Sequence, residues 1–102
     1  SGLIKRRSLF RESSRLPINM EIWTLDQGVT EGDHVHQDPR PLEEVYYFLE
    51  GEGIMTVDGD EVPVKAGDAI LVPPGANHGL LCTGTDPLKF LIIWGVPEAG
   101  SN

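Results

Sequence analysis

Cysteine, histidine, basic side chains and long apolar runs are all scarce in this chain of 102 residues. Its single cysteine, Cys82, excludes a disulfide within the chain and fits a reducing compartment. No apolar stretch approaches the roughly 20 residues that a membrane-spanning helix needs, and no apolar core of a secretory leader is found. A cytoplasmic location with no membrane partner is therefore expected. Basic residues number 8 against 16 acids, and a net charge of -8 repels phosphate backbones, so nucleic acid is not an expected ligand. The length admits one hydrophobic core and no second domain.

Glycine and proline are plentiful instead, at 12 and 8 residues, as in chains of short elements joined by tight turns. No window has the periodicity of an amphipathic helix. Segments 3–10, 18–25, 44–49, 54–57, 61–64, 69–72, 78–82 and 88–94 read as strands. Asp58-Gly59 reads as a two-residue hairpin turn, because glycine adopts the positive φ such a turn requires. Glu31-Gly32-Asp33 and Ala66-Gly67-Asp68 read as turns. Many short strands with such punctuation indicate an all-β sandwich or barrel. The expected division is a basic arm or strand at 1–15, a barrel at 16–98 and a tail at 99–102.

Charge divides along the same line. Residues 1–15 carry Lys5, Arg6, Arg7, Arg11 and Arg15 against Glu12 alone, a balance of +4, whereas the remainder stands at -12. The arm reads as an edge strand docked on the acidic body or on a second subunit. Contact with an anionic partner, or the tail of a targeting segment, are the other readings.

The three histidines carry the chemistry. His34 and His36, at i and i+2, share one face if the segment is extended, and two imidazoles held so can chelate a metal. His78 follows Pro73-Pro74-Gly75, a rigid turn that fixes the side chain emerging from it. Taken singly, each also reads as an ordinary surface or structural histidine.

Together with their neighbours they resemble the two motifs of the cupin superfamily. In the first, five residues separate Gly28 from His34-Val35-His36, and six separate Glu44 from Gly51. In the second, five residues separate Gly67 from Pro73-Pro74-Gly75, and two more separate that turn from His78. Two departures stand out. Seven residues separate His36 from Glu44, against the usual three or four, and Cys82 takes a position usually held by Asn. Glu43 is a rival to Glu44, but Glu44 keeps the spacing to Gly51.

The resemblance implies a double-stranded β-helix, or jelly roll, and a metal held by His34, His36, Glu44 and His78. Three imidazoles and a carboxylate suit one divalent transition ion, Mn, Fe, Co, Ni, Cu or Zn, better than Ca or Mg. Open positions on an octahedral ion suit Lewis-acid or oxygen chemistry, and a closed tetrahedral zinc would be structural. Alternation from Glu44 turns Tyr46 and Phe48 inward, as pocket or as core. Proton transfer falls to Glu44, Tyr46, Tyr47 or bound water. Arg40 in the long spacer reads as a contact for a substrate carboxylate or as a solvated surface residue. Cys82 reads as a buried thiol or a shaper of the pocket. A metal-dependent enzyme of dioxygenase type, acting on a small oxygen-rich metabolite, is the leading expectation, with decarboxylase, isomerase or lyase chemistry as variants. A non-catalytic small-molecule-binding or sensory module is the alternative, and a barrel merely stapled by its metal a third reading. A homodimer, paired through the N-terminal strand or a sheet face, is expected.

Overall fold

The computed structural model describes residues 3–34 and 42–97, with the backbone course alone at residues 32–34. Among these residues all regular structure is β. Nine strands are described: β1 (Ile4–Ser8), β2 (Asn19–Leu25), β3 (Thr30–His34), β4 (Glu43–Glu50), β5 (Glu52–Val57), β6 (Asp60–Lys65), β7 (Ala69–Val72), β8 (His78–Cys82) and β9 (Leu88–Gly95). They form a five-stranded sheet in the order β1-β2-β9-β4-β7 and a four-stranded sheet in the order β3-β8-β5-β6. Every pairing is antiparallel. Two antiparallel sheets whose strands alternate between them along the chain make the expected jelly roll. No helix among the described residues is long and apolar enough to cross a membrane.

Period-two alternation builds the interior. In β4, Glu44, Tyr46 and Phe48 are buried while Val45, Tyr47 and Leu49 are exposed. In β9, Leu88, Phe90 and Ile92 face the same way. They meet Leu25, Met55 and Leu80 between the sheets in one continuous core. Each such side chain contributes about 1.5–3 kcal/mol by leaving water. The β5–β6 hairpin closes at Asp58 and Gly59 with φ of 50° and 86°. Positive φ at both central residues matches the right-handed twist of the flanking strands.

The basic N-terminal segment contains β1, the outer strand of the five-stranded sheet, paired with β2 from Ile4↔Leu25 to Ser8↔Glu21. Its Arg6 guanidinium lies 4.2 Å over the Trp23 ring. One expectation is corrected here. Glu31-Gly32-Asp33 is not a turn but the middle of β3. Its acids and glycine carry a turn signature, yet β8 supplies the backbone partners, through Thr30↔Leu81, Glu31↔Leu80 and, beyond an irregularity, His34↔His78.

Candidate metal centre

Strand β4 and the start of β8 bring a carboxylate and an imidazole together inside the barrel. Glu44 is 5% exposed and His78 1%. Glu44 Oε1 lies 3.1 Å from His78 Nε2. The same oxygen accepts a hydrogen bond from the Tyr46 hydroxyl at 3.0 Å. The other ring nitrogen of His78, Nδ1, faces the Ala76 carbonyl at 3.4 Å. That carbonyl belongs to the segment after Pro73-Pro74-Gly75, so the rigid turn orients the ring as well as delivering it.

The electrostatics follow from this packing. Burial pulls the His78 pKa down, but the Glu44 hydrogen bond and charge, with smaller help from the Ala76 carbonyl and Glu31, leave it above the ordinary histidine value. Burial pushes the Tyr46 phenol well above its usual range, and the charges of Glu44 and Glu31 push it further. Tyr46 therefore holds its proton in the hydrogen bond to Glu44.

The remaining expected site residues are distributed as follows. His34 ends β3, and its backbone is the direct register partner of His78. His36 and Arg40 lie outside the described residues. Glu43 alternates to the opposite face of β4 from Glu44, which removes it as a rival. Tyr47 is 43% exposed on the outer face, turned away from the barrel interior. Phe48 is fully buried, packed 5.5 Å from Phe90 and 6.4 Å from Tyr46 between ring centroids. Cys82 ends β8 with its thiol facing the Asp86 carbonyl at 3.5 Å. Neither residue lines the cavity at Glu44, because each lies further along its strand from the Glu44–His78 end. Both are core.

That cavity measures about 170 Å³. Its titratable lining is Glu31, Glu44, His78 and Tyr46, and its apolar walls are Trp23, Trp94, Leu42 and Ile92. The volume falls below the roughly 300–1,000 Å³ of drug-sized pockets, so it suits a metabolite of a few heavy atoms. Trp23 is held in place from outside, since its Nε1–H donates to Glu21 at 2.6 Å and Glu21 also accepts from the Ser8 hydroxyl at 3.1 Å. Sequence reasoning missed Glu31, Trp23 and Trp94 as lining residues. Strand alternation marks Trp23 as inward from Leu25, but the cavity depends on which strands are neighbours.

The donor set suits a divalent metal. A buried imidazole nitrogen and a buried carboxylate oxygen converge to 3.1 Å. Two cis ligands at about 2.1 Å from one ion stand about 3.0 Å apart. Among the described residues no group of three or more His, Cys, Asp or Glu side chains is assembled for a metal. The other two expected ligands are His36 and the side chain of His34, which lie outside that description.

A jelly roll with paired histidine and glutamate at one end of its barrel defines a class of proteins, and comparison with known proteins names it. The family model described as a cupin domain matches residues 21–94, and the chain belongs to the cupin family. Metal binding is common in this family. An oxalate-binding protein of Thermotoga maritima is 38% identical over 68% of this chain and 54% of its own length. A dimethylsulfoniopropionate lyase of Ruegeria pomeroyi is 32% identical over 87% of this chain and 57% of its own. The chain thus spans about half the length of these curated relatives. Among solved structures, a predicted oxalate decarboxylase of Thermotoga maritima superimposes with a TM-score of 0.82 and 29% identity, over 92% of this chain and 81% of that one.

Proposed function

We propose that the protein is a mononuclear metal-dependent cupin that binds a small carboxylate-bearing metabolite and transforms it, by dioxygenase-type chemistry. His34, His36, Glu44 and His78 hold one divalent transition metal. The observation that carries this reading is the buried Glu44–His78 pair at the edge of a small, mostly apolar cavity. When bound, the metal supplies Lewis acidity and positions for a chelating ligand or oxygen.

The chain's own residues do the rest. Glu44 is held by the Tyr46 hydroxyl and His78 is oriented through Ala76. Trp23, Trp94, Leu42 and Ile92 exclude water, which strengthens every charge interaction in the cavity. Tyr46 keeps its proton, and Glu31 brings a second carboxylate to the cavity lining beside Glu44. Relatives named for binding oxalate, for cleaving dimethylsulfoniopropionate and, in yeast, for acireductone dioxygenation support a small oxygenated ligand.

A second reading, a non-catalytic binding module, is favoured by the oxalate-binding relative and by the fixed proton on Tyr46. Oxygen consumption by metal-loaded protein with small carboxylates and keto acids separates the two. Turnover supports the enzyme, and tight binding with no turnover of any kind supports the module.

The protein is further read as a homodimer. On the outer face of the five-stranded sheet Val45 and Leu71 are cross-strand partners, 37% and 56% exposed, beside Tyr47. Contiguous exposed apolar side chains on a sheet face mark a surface that another molecule covers.

A further inference from the structure

Away from the Glu44–His78 edge, the described residues lining the cavity offer almost nothing to an anion. Its walls there are Trp23, Trp94, Leu42, Ile92 and the ring of Tyr46, and no Lys or Arg lines it among the described residues. Two of the polar hydrogens on these aromatic walls are already committed, Trp23 Nε1–H to Glu21 and the Tyr46 hydroxyl to Glu44. The additional charged group is the half-buried Glu31 carboxylate, close enough to Tyr46 and His78 to raise both pKa values. A second carboxylate on the ligand would face aromatic rings and a like charge, both unfavourable. A cation sheathed in methyl groups meets the opposite situation. It loses little hydration on entry, is attracted by the negative faces of tryptophan and tyrosine, and is matched by Glu31.

We propose that the cavity selects a small betaine-type zwitterion, its carboxylate directed to the metal at Glu44 and His78 and its methylated onium group set among Trp23, Trp94, Tyr46 and Glu31. This rests on the metal-centre reading above and narrows it, from any oxygen-rich metabolite to one oxygenated at a single end. Trp23 has a particular part in it. Its tie to Glu21 and the stacked Arg6 hold the indole as a wall, so the room for the onium group is set by β1 and β2.

The test is calorimetric titration of the full chain loaded with Mn²⁺, using three probes of similar size. Trimethylglycine carries the onium group. The anion 3,3-dimethylbutanoate has the same shape without the positive charge. Succinate places a second carboxylate among the aromatic walls, on a chain long enough to disfavour chelation of the metal by both ends. Trimethylglycine is expected to bind about tenfold tighter than 3,3-dimethylbutanoate, with succinate weakest. Glu31→Gln should shrink that preference several-fold, by weakening trimethylglycine and, through the loss of a like charge, strengthening 3,3-dimethylbutanoate. Equal or tighter binding of 3,3-dimethylbutanoate by the wild-type protein overturns the cationic part whatever Glu31→Gln does. Tightest binding of succinate overturns the proposal and leaves the metal-centre reading standing. Binding of Mn²⁺ with no affinity for any of the three defeats the proposal and the carboxylate reading together.

Discussion

Replacing Tyr46 with Phe removes one oxygen from the barrel interior and leaves the ring. Tyr46 is 2% exposed, and its ring stands 5.3 Å from Phe90, 6.4 Å from Phe48 and 6.2 Å from His78 between centroids. Phenylalanine keeps those contacts. The loss is the hydrogen bond to Glu44 Oε1 at 3.0 Å. A bond to a charged acceptor contributes about 1.5–3 kcal/mol, and a shape-preserving replacement recovers part of it by removing a buried hydroxyl. A net destabilisation of about 1–2 kcal/mol is expected, which lowers the Tm of a domain this size by roughly 5–15 °C. Metal affinity should fall about 10- to 100-fold, as when a partner that orients a ligand is lost. Scanning calorimetry of the metal-free protein reads the first effect and Mn²⁺ titration the second. A Tyr46→Phe protein with wild-type Tm and wild-type metal affinity refutes the idea that this hydroxyl anchors Glu44.

The same environment makes a pH prediction. Because the Tyr46 phenol is held above its usual range, the unfolded state releases that proton first, so folded stability declines as pH rises past about 10. Alkaline titration at 295 nm should therefore show the same phenolate amplitude in wild type and Tyr46→Phe until the protein unfolds, and a larger wild-type amplitude before unfolding contradicts it. Gly53→Ala places a Cβ 2.6 Å from the Leu81 carbonyl oxygen and 2.7 Å from Leu88 Cδ2, and should cost about 1–3 kcal/mol in denaturant titrations. Leu71→Glu puts a charge on the apolar outer face beside Val45 and should convert a dimer to monomers in sedimentation velocity without lowering the Tm of the monomer. A dimer that persists moves the interface elsewhere.

Much of the barrel is legible in residue order because its strands obey period two and its turns carry their own chemistry. Glu44-Val45-Tyr46-Tyr47-Phe48 states which side chains are inside, and Asp58-Gly59 states where the hairpin turns. Strand β3 is not legible, since Thr30, Glu31, Gly32 and Asp33 lack an apolar face and are extended through their register with β8. Glu44 and His78 can be paired from motif spacing, but Trp23, Trp94 and Glu31 cannot be placed around them. The two tryptophans reach the cavity through sheet order, with β9 between β2 and β4, and Glu31 reaches it from β3 of the opposite sheet; both are long-range properties. Phe48 and Cys82 lie away from the cavity at Glu44 for a related reason. Alternation assigns a face to a side chain and says nothing of its depth along the strand.

The central claim is that Glu44 and His78 hold a metal together with His34 and His36. Elemental analysis of the purified, metal-reconstituted chain beside its His78→Ala variant tests it most directly. The prediction is about one equivalent of a divalent transition metal in the wild type and little in the variant, with the variant still folded by circular dichroism. Equal metal content in a folded His78→Ala protein, or none in a folded wild type after reconstitution, contradicts it.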